Sequence, residues 1–326
     1  MSTTVQDFRE RMEDKQSVYK TEVLGIKQMG PGRNGYHPHI LPEDSWSLNL
    51  WKDVSYDVIQ WFAQSEINWH AHKHNMLSSQ VMCVNIFYPL KRRLDLLKPW
   101  LTRRFDVKNV IDLDFEYVGS DDFFNEGGGR GWKRTSSDVA ITWEDKDKRR
   151  NMLLIEFKFT ERSFGECRQD KNPERRRCLS SRAVVRSPRS QCYRARRGRT
   201  YWSYILSSES PILTDRLRAM RYCPFRYDFY QLMRKQLLAH AIETDSRPAF
   251  NAVDFGVMYH SDNEELLRMD HPFAGESHPL RAWASMLKNP DTFHSFTVQD
   301  FMQSIDANLP DDLAGWRSYL SERYGI

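Results

Sequence analysis

Apolar positions along this chain follow first a helical rhythm, then an alternating one, then a helical one again. Val54, Val58, Ile59, Phe62, Ala63 and Ile67 recur at three- and four-residue intervals, which predicts an amphipathic helix over about 55–69. Met76, Leu77, Val81, Met82, Val84, Ile86 and Phe87 predict a second helix that stops at Pro89, and residues 91–105 read as a third, basic one. The period then drops to two. Val110, Leu113, Phe115 and Tyr117 predict a strand over 107–117. Residues 136–143 and 151–159 are two further strand-like runs, rich in β-branched and apolar residues, joined by a charged hairpin loop at 144–150. Helical spacing returns over 212–243, and Val253, Phe255 and Val257 predict the last strand of the sheet. Residues 1–23 read as a polar helix, 30–42 as a Gly- and Pro-rich loop, and the regions around 282–287 and 301–321 as short helices. Helices, three strands, a helix and a strand make an α/β order. No internal repeat interrupts it.

Charges break into the two strands where a core would not admit them. Glu156 and Lys158 are two apart, so both project from one face of a strand whose other residues look buried on both sides. Asp138 begins the neighbouring strand. Two carboxylates and an ammonium at strand ends suit a divalent cation, Mg²⁺ or Mn²⁺, and hydrolysis of a phosphodiester. The other reading is an exposed edge strand with a solvated face. Gly127-Gly128-Gly129 in the acidic, Gly-rich 120–131 stretch has no following Lys-Ser/Thr, so it reads as a flexible loop at the site mouth rather than a phosphate-binding P-loop. Gln80, among apolar neighbours, either binds backbone phosphate or caps a buried carbonyl. His70, His72 and His74 alternate, but in a loop between helices they read as solvated.

The net charge of +4 hides an asymmetry. Residues 168–199 hold twelve basic residues, mostly arginine, against two acids, while residues 251–326 hold twelve acids against five bases. An arginine block directly after the Glu-x-Lys strand points to phosphate contacts from Arg175, Arg176, Arg177, Arg194, Arg196 and Arg197, with a polyanion such as a nucleic acid as partner. A disordered basic loop is the plain alternative. No apolar run approaches twenty residues and the N-terminus is polar, so no membrane association and a cytoplasmic protein are expected. In that compartment disulfides are disfavoured. Cys83 reads as core. Cys167, Cys178, Cys192 and Cys223 have wide, irregular gaps and no Cys-x-x-Cys, so thiols are favoured over a structural zinc or iron–sulfur cluster.

Asp138 followed by Glu156-x-Lys158 after an apolar strand resembles the PD-(D/E)xK nuclease superfamily, with Ser137-Asp138 in place of its Pro-Asp. Asn75-Met76-Leu77-Ser78-Ser79-Gln80, Asn85-Ile86-Phe87-Tyr88-Pro89-Leu90 and the stretch Tyr230 to Ala239 narrow the resemblance to a restriction-endonuclease-like bacterial family over about 40–260. The resemblance implies a restriction-endonuclease-like core, a mixed central β-sheet flanked by helices, with helical N- and C-terminal additions: an arm at 1–45, a nuclease-like domain at 46–260 with a basic insertion at about 162–200, and an acidic helical extension at 261–326. It implies Asp138 and Glu156 as metal ligands, Lys158 beside the attacking water, and an acid from a core helix, assigned to Glu66. Tyr230 and Gln236 resemble the tyrosine and glutamine of RecB-type nucleases, which support the site or contact DNA. The expected function is a Mg²⁺-dependent deoxyribonuclease in genome defence or DNA processing, with a homodimer plausible. The alternatives are an inactive nucleic-acid-binding relative and an interaction protein using its basic segment.

Overall fold

The computed structural model describes residues 6–326 apart from 132, 168–180, 221–222, 227–228, 248, 270–272 and 274. Its centre is a five-stranded mixed sheet: β1 (Asn109–Tyr117), β2 (Ser137–Glu144), β3 (Arg150–Lys158), β4 (Ala252–Tyr259) and β5 (Phe293–Thr297), side by side in that order. β1, β2 and β3 are antiparallel, and β3, β4 and β5 run parallel. The helices around the sheet include α1 (Phe8–Val18), α2 (Ser55–Gln64), α3 (Ser79–Phe87), α4 (Tyr230–Thr244), α5 (Val298–Asp306) and α6 (Ala314–Tyr324).

Strand parity divides the core in two. Leu113, Phe115, Val139, Ile141, Leu153, Ile155 and Phe157 join α3, α1 and the C-terminal helices in one apolar cluster. Ala140, Met152, Leu154, Phe255 and Val257 join α4 in the other. β3 is buried from Asn151 to Lys158 because it lies mid-sheet with helices on both faces, which excludes the edge-strand reading. α3 is buried on every side from Gln80 to Phe87, so its apolar residues show no stripe.

Three expected elements differ. The helix expected over 91–105 is instead two 3₁₀ turns (Pro89–Arg92 and Leu94–Leu97) and a single α-turn (Lys98–Leu101). Pro89 and Pro99 each remove an amide donor, so no continuous ladder can form. The helix expected over 212–243 is likewise broken, into Thr214–Ala219, Pro224–Arg226 and α4. The strand at 252–259 is not the last. The acidic C-terminal segment, expected as helical, supplies β5, a five-residue strand pairing with β4. α6 then returns to the N-terminal part: Trp316 Nε1 donates to the Asn85 carbonyl at 2.7 Å, and Arg323 Nη1 to the Asn49 carbonyl at 2.7 Å. The N- and C-terminal segments therefore share one core with α3. Among the described residues no helix is long and apolar enough to cross a membrane.

Candidate active site

The site is a row across three strands. In the β1–β2 register Phe115 faces Val139 and Tyr117 faces Ser137, so Glu116 stands across from Asp138. In the β2–β3 register Val139 faces Ile155, and one step further Asp138 stands across from Glu156. By parity Asp138, Glu156 and Lys158 all leave the sheet on the α4 side. α4 crosses above them and brings Gln231, Arg234 and Lys235, spaced as one helical face. These side chains line an open cleft of about 570 Å³.

Within it the charges are tightly interlocked. Lys158 Nζ lies 2.8 Å from Glu156 Oε1 and 2.9 Å from Gln231 Oε1, and Lys235 Nζ lies 2.6 Å from Glu156 Oε2. Burial opposes ionisation of Glu156, but the two ammonium groups outweigh it and hold its carboxyl down at about 2. Burial likewise opposes the charge on Lys158, yet Glu156, Glu161 and Asp138 hold it well above the ordinary lysine value. Asp138 is half-buried and accepts the Phe157 amide at 2.6 Å. Desolvation, then the like charges of Glu156 and Glu116, push its carboxyl well above the usual range.

Glu116 is the acid that sequence reasoning passed over. It is 2 % exposed, and it accepts Gln80 Nε2 at 2.7 Å and Ser136 Oγ at 2.6 Å. His70 Nε2 lies 3.5 Å from it at the cleft wall. Its φ of 47° puts a non-glycine residue in the left-handed region at a strand end. Such strain persists only where surrounding contacts over-determine it, and it is a signal no sequence pattern carries. Glu66, the acid expected from α2, is exposed just beyond the helix and does not line the cleft. Gln80 is buried and bridges a carboxylate and the backbone: its Nε2 holds Glu116 at 2.7 Å and reaches the Asn68 carbonyl at 3.4 Å, the expected carbonyl cap, while its Oε1 accepts the His70 amide at 2.8 Å. On α4 neither residue of the expected pair lines the cleft, although the Tyr230 ring lies 5.4 Å from the Arg234 guanidinium that does. Tyr230 and Gln236 are buried in the helix's core side, and their neighbours Gln231 and Lys235 reach the site.

The arginine block is placed only in part. Arg175, Arg176, Arg177 and Cys178 lie outside the described residues. Arg194 is half-buried over the Tyr230 ring at 5.4 Å, which makes it a packing cation. Arg196 and Arg197 are exposed beside Tyr193, away from the cleft lining. The cations that do line the cleft are Lys133, Arg134, Arg162 and Arg234, besides the two lysines on Glu156. Cys167, Cys192 and Cys223 are half-buried against the apolar cluster under α4. The loop at 120–131 is pinned, not loose: Asn68 donates from its amide and Nδ2 to the Arg130 carbonyl, each at 3.1 Å. At Gly131 φ is +68° and a Cβ would stand 2.4 Å from the Asn68 carbonyl oxygen, so only glycine fits that crossing. His74 is buried against the Pro31 carbonyl at 3.0 Å while His70 faces the cleft, so the three histidines do not converge.

A family model spans this carboxylate row and the Glu-x-Lys pair beside it. The model described as Restriction Endonuclease associating with ARP matches residues 12–325. The chain belongs to this family. The match runs through β1–β5 and both terminal regions. No curated protein and no solved structure matches it.

The donors fit a hard divalent cation in kind: three carboxylates meet in one row, and Asp138, pushed up by burial and by Glu156 and Glu116, is the carboxyl that a cation would relieve. Among the described residues, no three His, Cys, Asp or Glu side chains are already grouped as metal ligands. Glu156 is instead occupied by Lys158 and Lys235.

Proposed function

We propose that this protein is a Mg²⁺- or Mn²⁺-dependent nuclease that hydrolyses DNA phosphodiester bonds, with Asp138 and Glu156 holding the metal, Glu116 completing the carboxylate row, and Lys158 beside the reacting phosphate. The observation that carries this reading is the alignment of Glu116, Asp138 and Glu156 across three strands, with Lys158 next along, at the floor of an open cleft. A divalent ion there lowers the pKa of bound water and offsets charge on the phosphate. Lys158 stays an ammonium, so it donates a hydrogen bond to the attacking water or a phosphate oxygen and takes no proton. Gln231 fixes its Nζ from the opposite side. Gln80 and Ser136 fix the Glu116 carboxylate. Lys133, Arg134 and Arg162 offer the flanking phosphates charge without sequence preference.

Incubation of the purified protein with circular and linear DNA, with Mg²⁺, Mn²⁺ or EDTA, tests this. Metal-dependent strand scission is expected. Lys158→Ala should abolish it while DNA binding stays within a few-fold, because one lysine is a small part of the cationic surface. DNA retention without scission under every metal condition would favour the inactive-binder reading, to which the occupation of Glu156 by two lysines lends itself.

A further inference from the structure

Above the carboxylate row a second buried network ends in the same cleft. Glu126, 7 % exposed, comes from the pinned 120–131 loop. It accepts the Thr135 amide, Thr135 Oγ1 at 3.0 Å, the Tyr201 hydroxyl, and Arg234 Nη2 at 2.9 Å. Arg234 Nε donates to Thr135 Oγ1 at 2.9 Å, and the guanidinium lies 5.4 Å from the Tyr230 ring centre. The segment from Glu126 to Thr135, itself fixed by Tyr201, and the Tyr230 ring one turn back on α4 thus hold one guanidinium in one orientation. Its Nη1 has no hydrogen-bond partner among the described residues, and the side chain lines the cleft with Lys158 and Lys235. A purely structural arginine would be buried away from the cleft, as Arg323 is between Asn49 and three tyrosines.

We propose that Arg234 is a further catalytic residue, whose guanidinium contacts a non-bridging oxygen of the scissile phosphate and stabilises the charge that builds there. This rests on the hydrolytic reading above. In that reaction the attacking water gives a proton to solvent as a bond forms from its oxygen to phosphorus, and the bond from phosphorus to the leaving oxygen breaks as that oxygen takes a proton from solvent. Arg234 neither gives nor takes a proton; it supplies fixed donors in a site where water reorganisation is costly. Glu126, Thr135 and Tyr230 are positioning residues that spare the guanidinium reorientation during the reaction.

The test compares wild type, Arg234→Lys, Arg234→Gln and Asp138→Asn. Steady-state cleavage of DNA with Mn²⁺ is measured alongside DNA binding by fluorescence anisotropy in Ca²⁺, and folding by near-ultraviolet circular dichroism. Removing one preorganised donor costs about 10²–10³-fold in kcat. That loss is expected in both Arg234 variants, with KM and DNA affinity within about three-fold, as for a group that acts chiefly in the transition state. Arg234→Lys keeps the charge opposite Glu126 and is expected to fold. Wild-type turnover in both folded variants would overturn the proposal, and so would a rise in KM with kcat unchanged. Loss of the native spectrum in both variants would make Arg234 structural and overturn it too. A wild type that cleaves no DNA, or an Asp138→Asn variant that cleaves as well as wild type, would instead overturn the hydrolytic reading and take this inference with it.

Discussion

Glu156 is the most exacting place to test the electrostatics of the site. Glu156→Gln keeps the shape and removes the charge that two ammonium groups share at 2.8 and 2.6 Å. Side-chain exposures of 5–9 % for the three residues exclude the screening that makes surface pairs worth under about 1 kcal/mol. Holding the carboxyl at about 2 instead of 4.5 corresponds, at ~1.4 kcal/mol per pH unit, to ~3 kcal/mol of stability. In the variant Asp138 loses a like-charged neighbour and takes over part of the lysines' field, so ~3 kcal/mol is an upper value. The pH dependence has a fixed sign. A depressed carboxyl contributes stability that is complete above the unfolded value of 4.5 and is lost as pH falls toward 2.

Urea denaturation of metal-free wild type and Glu156→Gln at pH 7 should show the full deficit. At pH 3.5, one pH unit below the unfolded value, the gap should narrow by ~1.4 kcal/mol. Equal midpoints at pH 7, or a gap that stays constant down to pH 3.5, would refute the reasoning. Either result would mean that Lys158 and Lys235 do not lean on this carboxylate in solution.

Asp138 carries the opposite sign: a carboxyl raised by burial and like charge gives up stability as pH rises through its folded value. Metal-free Asp138→Asn should therefore melt above metal-free wild type at pH 7.5 in a thermal scan, while losing the stabilisation that Mg²⁺ or Mn²⁺ gives wild type. Metal binding to wild type should release protons, seen as a buffer-dependent enthalpy in calorimetry. Neutralising Arg175, Arg176 and Arg177 together should weaken DNA binding on all sequences and flatten the plot of log affinity against log salt; an unchanged slope would remove them from phosphate contact. Gly131→Ala should loosen the loop by about 1–3 kcal/mol and lower turnover through the 130–136 segment, read by hydrogen exchange at that loop and by kcat. The purified protein should show neither stoichiometric zinc nor an absorbance shoulder near about 400 nm, and either would promote Cys167, Cys178, Cys192 and Cys223 to a metal site.

The parts of the fold that came through from sequence were those where one short window holds its own reason. β2 and β3 are contiguous apolar runs joined by a charged loop, and their pairing needs no distant information. Helix ends at prolines are equally local, and the segments at 91–105 and 212–243 went astray where apolar spacing was read through Pro99 and Pro224. β5 escaped because five residues, Phe-His-Ser-Phe-Thr, form a strand only when β4 offers its edge. That is a tertiary cause, and no propensity records it.

The same distinction divides the site. Glu156 and Lys158 were legible because charge inside a buried strand is costly wherever the chain goes, and the spacing of two alone puts both on one face. Asp138 was legible as the hairpin partner. Glu116 was not, because nothing at position 116 shows that it stands across from Asp138; that comes from the β1–β2 register, which contains a bulge between Val110 and Asp112. Gln231, Arg234 and Lys235 carry a readable pattern, polar residues at i, i+3 and i+4 in a helix largely buried from Tyr230 to Ala239, but the pattern gives only a shared face. What that face meets depends on the crossover from β3 to β4, some ninety residues long. Resemblance drew attention to Tyr230, which backs Arg234, and to Gln236, while the residues that reach the cleft are their helix neighbours, one position or a rotation of about 100° away. The floor of this cleft is therefore written locally in two strands. Its walls and its third carboxylate are fixed by register and crossover, two geometric facts that only the folded chain supplies.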